Sequence, residues 1–230
     1  IDVETGEIHG YEALMRLKNT KVSPAQFIPI AEETGQIIKI DRILTEKVVR
    51  QMAEWREHGI PLYKVSINYS YSQVSDVHYV DFLEELLKRY NIPPELICIE
   101  ITESLFISNK EAVSKLLNEF VKRGISLALD DFGTGYSSLS YLTFLPINVV
   151  KIDKSLVDNY LSNEKGDFIK NIVRLVHSLA MKLTVEGVEH QWQNEKLKTF
   201  HCDYIQGYYY SKPISGAEIE DFNRKFRSIG

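Results

Sequence analysis

The stretch Leu127–Leu142, LALDDFGTGYSSLSYL, decides the fold. It opens as a buried strand carrying Leu127 and Leu129, and two adjacent carboxylates follow, Asp130 and Asp131. A turn with Gly133 and Gly135 comes next, then a short helical pattern through Leu139 and Leu142. On a straight strand, neighbouring side chains point to opposite faces. Asp130 and Asp131 therefore converge on one site only if the strand ends there and the chain turns. The two glycines allow such a turn, because they tolerate positive φ. Two carboxylates held together repel each other unless a cation or a proton lies between them. The other use of such a pair is to cap the helix that follows.

Working outward, the same strand-then-helix unit recurs. Strand 63–68 (YKVSIN) precedes a helix near 79–90 with Val80, Leu83, Leu86, Leu87 and Tyr90 at helical spacing. Strand 96–101 (LICIEI) precedes a helix at 109–123, opened by the capping-box pair Ser108 and Glu111 and stopped at Gly124. Beyond the central stretch, strand 147–152 (INVVKI) precedes a helix at 166–180, and strand 182–186 (KLTVE) one around 190–200. Strand 203–206 (DYIQ) leads to a last helix from Ser215, capped with Glu218. The beginning is less regular. Glu4-Thr5-Gly6 suggests a hairpin turn, and YEALMRL (11–17) fits strand or helix. A helix starts at Ser23-Pro24-Ala25-Gln26, carries Phe27, Ile30 and Ala31, and stops near Gly35. A longer one follows, with Ile40, Ile43, Leu44, Val48, Met52 and Trp55, and stops at Gly59.

Strand–helix alternation predicts an α/β fold with a parallel sheet. Seven or eight such units suggest a barrel rather than an open sheet, with an irregular start. No linker-like or low-complexity stretch divides the 230 residues, which read as one domain, 1–230. A net charge of −5 argues against a broad surface for nucleic-acid polymers, so an anionic ligand needs local cations. Cys98 and Cys202 lie in strand regions without metal-like spacing and read as buried thiols, consistent with a cytoplasmic location. No apolar run approaches about 20 residues and no signal peptide is visible, so this segment is expected to make no membrane contact. The first residue is Ile1, which suggests an excerpt of a longer chain that itself could be membrane-anchored.

Polar residues recur at the C-terminal ends of these strands: Asn68, Glu100, Asp130, Lys151, Glu186 and Gln206, with Glu12 in the first element. In a parallel barrel those ends share one face, where loops build the active site. Glu12, Asn68, Glu100, Asp130, Asp131 and Glu186 are all hard oxygen donors, a set that favours Mg²⁺ or Mn²⁺ over zinc. There are more carboxylates than one Mg²⁺ takes from protein, which suits two ions clamping a phosphodiester. Lys151 would hold the attacking hydroxide or neutralise phosphorane charge, or form a structural ion pair with one of the carboxylates.

These residues carry a resemblance. The chain resembles the EAL domain, the cyclic di-GMP phosphodiesterase of bacteria, nearly end to end. The match covers Glu12-Ala13-Leu14 with Arg16, PAQFIPIAEETG (24–35), SIN (66–68), EITES (100–104), DDFGTGYSSLSYL (130–142), VKID (150–153), VEGVE (185–189) and YIQGYYYSKP (204–213). It implies a TIM-like (β/α)8 barrel with one antiparallel strand. The family's first strand begins with a segment like YQPI, so here the N-terminal strand is expected to be truncated. The resemblance implies hydrolysis of cyclic di-GMP to linear pGpG with two Mg²⁺ or Mn²⁺ ions. It implies that Glu12, Asn68, Glu100 and Asp130 hold the first ion, and Asp130, Asp131 and Glu186 the second. Lys151 matches the lysine that positions the water, Gln206 a glutamine beside the metals, and Arg16 an arginine on a substrate phosphate. Glu186 is either ligand or general base; the ligand role is preferred. Glu103 matches the glutamate that holds the DDFGTG loop with its Gly133 and Gly135, an element coupling dimerisation to activity. Asp153 and Glu189 complete the surroundings. Family members commonly follow sensor or GGDEF domains, and the resemblance implies a homodimer through the region after DDFGTG. Three departures stand out: Tyr69 for a common leucine, Val185 for alanine, and His190 for threonine. A non-catalytic cyclic di-GMP receptor is the main alternative, although such receptors typically lack residues that this chain retains. A barrel of other chemistry, such as a metal-dependent lyase, is remote.

Overall fold

The computed structural model describes residues 1–18, 20–106, 110–134, 139–162 and 167–227. Ser108 and Gly135 lie outside them. Strands and helices alternate. β1 (Gly10–Ala13) is followed by α1 (Pro24–Glu33) and α2 (Ile37–Glu57), then β2 (Lys64–Tyr69), α3 (Tyr79–Tyr90), β3 (Ile97–Thr102) and α4 (Lys110–Lys122). The second half runs β4 (Ser126–Phe132), α5 (Leu139–Phe144), β5 (Val149–Ile152), α6 (Lys154–Leu156), α7 (Asp167–Ser178), β6 (Lys182–Val185), α8 (Gln191–Lys198), β7 (Tyr204–Ile205) and α9 (Ile219–Arg227). The seven strands follow one another across the sheet in chain order. β4 to β7 pair in parallel, with Leu129 opposite Val150, Val150 opposite Leu183, and Val185 opposite Ile205. Parallel neighbours need crossover connections, and the intervening helices supply them. Residues 97–101 of β3 and 127–130 of β4 are buried without alternation, as a sheet covered on both faces requires.

Internal contacts divide the chain into two compact units. One comprises Tyr11–Glu100 and Ser104–Ser126. Here the undecided segment 11–17 resolves to a strand as far as Ala13. Ser23 and Gln26 close the expected capping box on α1: the Ser23 N–H donates to Gln26 Oε1 at 2.9 Å. α2 corrects the expected face in part: Met52 and Trp55 are buried as expected, but the rest of the stripe is shifted. Its buried side carries Ile37, Asp41, Thr45, Val49 and Met52, whereas Ile43 is exposed. The two polar residues hid that stripe. Thr45 shares a hydrogen bond with Tyr79 Oη at 2.8 Å, and Arg42 straddles Asp76 with two contacts of 2.6 Å. Tyr69 and Tyr79 pack against Phe120 of α4, which accounts for the tyrosine at position 69: its ring is core, and its hydroxyl donates to Gln73 O at 2.9 Å.

The other unit comprises Ile1–Gly10, Ile101–Glu103 and Leu127–Gly230. The hairpin turn is present. Asp2 N–H donates to Glu7 O and Gly6 N–H to Asp2 O, both at 2.9 Å, around Gly6 at φ 72°. Asp2 also forms an isolated antiparallel bridge to Tyr204, flanked by Val3 N–H donating to Asp203 O at 2.9 Å. A second helical element missing from the sequence reading follows β5: α6 passes into a π-helical turn, Val157–Leu161, that buries Leu156, Val157 and Leu161. His190 opens α8, and its N–H donates to Gln193 Oε1 at 2.9 Å, so the departure at 190 sits at a helix cap.

Candidate active site

The central stretch holds its carboxylates differently from the expectation. β4 does not end at Asp130; it runs on to Phe132. The register against β5 slips between Leu129 and Phe132, a bulge at the two aspartates. Asp131 itself takes the left-handed conformation, at φ 55°, and its N–H donates to Asp130 Oδ1 at 3.0 Å. Short polar side chains tolerate that region best among non-glycine residues. A bulge re-aims side chains that strict alternation would send to opposite faces. Asp130 ends up buried and Asp131 exposed. Gly133 follows at φ 92°, and a Cβ there would lie 2.7 Å from Leu156 Cδ1.

Three side chains from successive parallel strands meet in this unit. Lys151 of β5 is only 3 % exposed. Its Nζ lies 2.6 Å from Glu186 Oε1 and 3.4 Å from Asp130 Oδ1. Glu186 follows β6 directly, and its N–H donates to Ile152 O at 3.0 Å. Burying a charged trio costs more in desolvation than the pairing returns unless geometry is good, so such a group is poor evidence of a purely stabilising role. One ammonium between two carboxylates leaves a net negative charge, which a further cation would balance. Every other donor in the set is a hard oxygen, a chemistry that fits Mg²⁺ or Mn²⁺. Among the described residues, no three His, Cys, Asp or Glu side chains are gathered closely enough to hold a metal ion by themselves.

The remaining loops are firmly tied. Gln206 N–H donates to Val185 O at 2.9 Å, and Gln206 O accepts from Val188 N–H at 3.2 Å. Gly207 passes so close to Val188 that a Cβ would fall on its carbonyl and amide. Asp153 caps α6, accepting from Ser155 N–H at 2.9 Å. Glu189 pairs with Lys154 at 3.1 Å. Glu103 begins a single 3-10 turn after β3.

In the other unit, Asn68 Nδ2 donates to Glu12 Oε1 at 2.9 Å, joining β2 to β1. Glu100 is buried within β3. Arg16 is exposed, and its guanidinium donates to Met15 O at 2.7 Å. Each predicted strand-end residue thus lies in its strand or one position past it. Sequence reasoning missed the bulge and the turn after Asn68, where Ser70 and Gln73 form another capping pair. The S-x-x-Q spacing was the signal for the second of these.

Comparison with known proteins places this geometry. The EAL domain family model matches residues 1–213. "Signaling protein YkoW" of Bacillus subtilis is 36% identical over 224 residues, 96% of this chain and 28% of that protein. The "Bifunctional diguanylate cyclase/cyclic di-GMP phosphodiesterase MucR" of Pseudomonas aeruginosa is 33% identical over 219 residues, 93% of this chain and 32% of that protein. The chain therefore spans about a third or less of the length of these relatives. Among solved structures, "PaMucR Phosphodiesterase, c-di-GMP complex" superposes with a TM-score of 0.83 at 32% identity, covering 90% of this chain and 86% of that one. With the family's model matching residues 1–213, this chain belongs to the EAL domain family.

Proposed function

We propose that residues 1–230 act as one phosphodiesterase domain, a TIM-like barrel with one antiparallel strand, that hydrolyses cyclic di-GMP to linear pGpG. The observation that carries this is the buried Lys151 held between Asp130 and Glu186 on consecutive parallel strands. Relatives named as cyclic di-GMP phosphodiesterases, and a solved relative in complex with that nucleotide, support the substrate. Glu12, Asn68, Glu100 and Asp130 would hold one Mg²⁺ or Mn²⁺, and Asp130, Asp131 and Glu186 a second. The ions supply charge stabilisation for the attacking and leaving oxygens of the phosphodiester. Lys151 then orients the attacking water and offsets charge that develops on the phosphorus oxygens. Asp130 and Glu186 fix the ammonium so that it needs no reorganisation during the reaction. Arg16 and Gln206 bind the substrate. Glu103, Gly133, Gly135, Asp153 and Glu189 shape the surrounding loops. In a longer protein, a sensor or GGDEF domain upstream and a homodimer would regulate the site; sedimentation of a fully active monomer at high concentration would count against the dimer.

Lys151→Ala tests the assignment. Turnover should fall by about 10²–10³-fold, the range for removing one preorganised transition-state donor, while cyclic di-GMP affinity changes by only a few-fold. Equal losses in both, tracking lost folding, would reduce the lysine to a structural ion pair.

A further inference from the structure

We propose that Gln73 is a positioning residue for Asn68, and through it for divalent-cation binding; the inference rests on the metal-dependent reading above. Asn68 is the penultimate residue of β2. Its amide nitrogen donates to Glu12, so the amide oxygen is the atom presented to a cation. Whether that oxygen stays aimed depends on the backbone just beyond it. There Gln73 holds two consecutive residues. Its Oε1 accepts from Ser70 N–H at 2.6 Å, and its carbonyl accepts from the Tyr69 hydroxyl at 2.9 Å. The return bond, Gln73 N–H to Ser70 O, is 3.1 Å. The turn is anchored in place at its far end, where Asp76 N–H donates to Gln73 O at 2.8 Å and Arg42 of α2 grips Asp76.

The position is costly in the way a positioning residue is. Gln73 is 1 % exposed, and its Nε2 is a buried donor with no hydrogen-bond partner among the described residues. An unmade hydrogen bond in the interior lowers stability, so a helix cap alone is poor reason to bury a glutamine. Its orientation is not free to reverse, because only the oxygen accepts from Ser70 N–H. Tyr69 adds a second anchor from this chain's own departure at that position. Asn68 is thereby followed by two residues pinned to one buried residue, Ser70 by the Gln73 side chain and Tyr69 by its carbonyl, which is how a ligand atom keeps its aim before the cation arrives.

The test is Mn²⁺ titration calorimetry on the whole chain, with pGpG formation read in parallel. Gln73→Met keeps the length and removes the acceptor; it should weaken Mn²⁺ binding about five-fold or more. Gln73→Glu keeps an acceptor for Ser70 N–H and should return binding to within about two-fold of the unaltered chain. Tyr69→Phe removes one anchor while keeping the ring, and should weaken Mn²⁺ about two-fold even if Gln73→Met fails to fold. Unchanged Mn²⁺ affinity in Gln73→Met, or in Tyr69→Phe where Gln73→Met does not fold, overturns the inference and leaves Gln73 a helix cap. If the unaltered chain binds Mn²⁺ but makes no pGpG, the hydrolytic reading falls and the affinity pattern still decides the role of Gln73. If it binds no Mn²⁺, both fall.

Discussion

At the residue scale, the chemistry depends on polar groups placed where burial makes them expensive. Asp41 is the clearest case outside the site. It is 5 % exposed on the inner face of α2, and its Oδ2 has no hydrogen-bond partner among the described residues. Burial, with Glu32 of α1 adding repulsion, pushes its carboxyl up to about 7. Tyr69, Tyr79 and Asp76 share that neighbourhood. The folded chain therefore keeps the proton over a range where the unfolded chain has already lost it. Stability falls as pH rises from the unfolded value near 4 through about 7, by a few kcal/mol at most. Urea unfolding of Asp41→Asn should show that slope removed and higher stability at pH 8; an unaltered slope would mean that the carboxyl ionises freely in the folded state. Sequence reading could not find Asp41, because the apolar pattern of α2 pointed to Ile40 and Ile43 instead. The strand-end placement of Lys151 and Glu186 was legible, since a charged residue within or directly after an otherwise apolar strand has few ordinary explanations.

At the element scale, strands β2 to β6 were legible as apolar runs bounded by turn or cap residues, because a parallel sheet buries both faces. β7 is reduced to Tyr204–Ile205, shorter than its run of residues implied. What alternation could not show is irregularity within an element. The bulge at Asp130–Asp131 replaces the expected strand end, and the π-helical turn after α6 breaks a periodicity that reads as loop. The loops after β6 and β7 are locked by backbone contact, and here Gly207 is decisive. A Cβ at that position meets main-chain atoms of Val188, which cannot rotate away. Gly207→Ala should cost about 1–3 kcal/mol in unfolding measurements, the range for overpacking that backbone shifts relieve. A cost below about 0.5 kcal/mol would show that the two loops part easily. If the variant folds, cyclic di-GMP turnover should fall with it, because Glu186 and Gln206 leave the same two loops.

At the scale of the whole molecule, family membership rests on an ordered set of short motifs and on a backbone that matches solved EAL structures. The net charge of −5 means that, on the proposed function, a dianionic nucleotide would need local cations for its attraction. The central claim is that this site cleaves cyclic di-GMP and does not only bind it. Chromatography of the chain incubated with cyclic di-GMP tests it most directly, with Mn²⁺ present and with Mn²⁺ removed by excess EDTA. The account predicts pGpG in the first sample and intact cyclic di-GMP in the second. Bound but uncleaved nucleotide in the presence of Mn²⁺ would contradict it and make the chain a receptor.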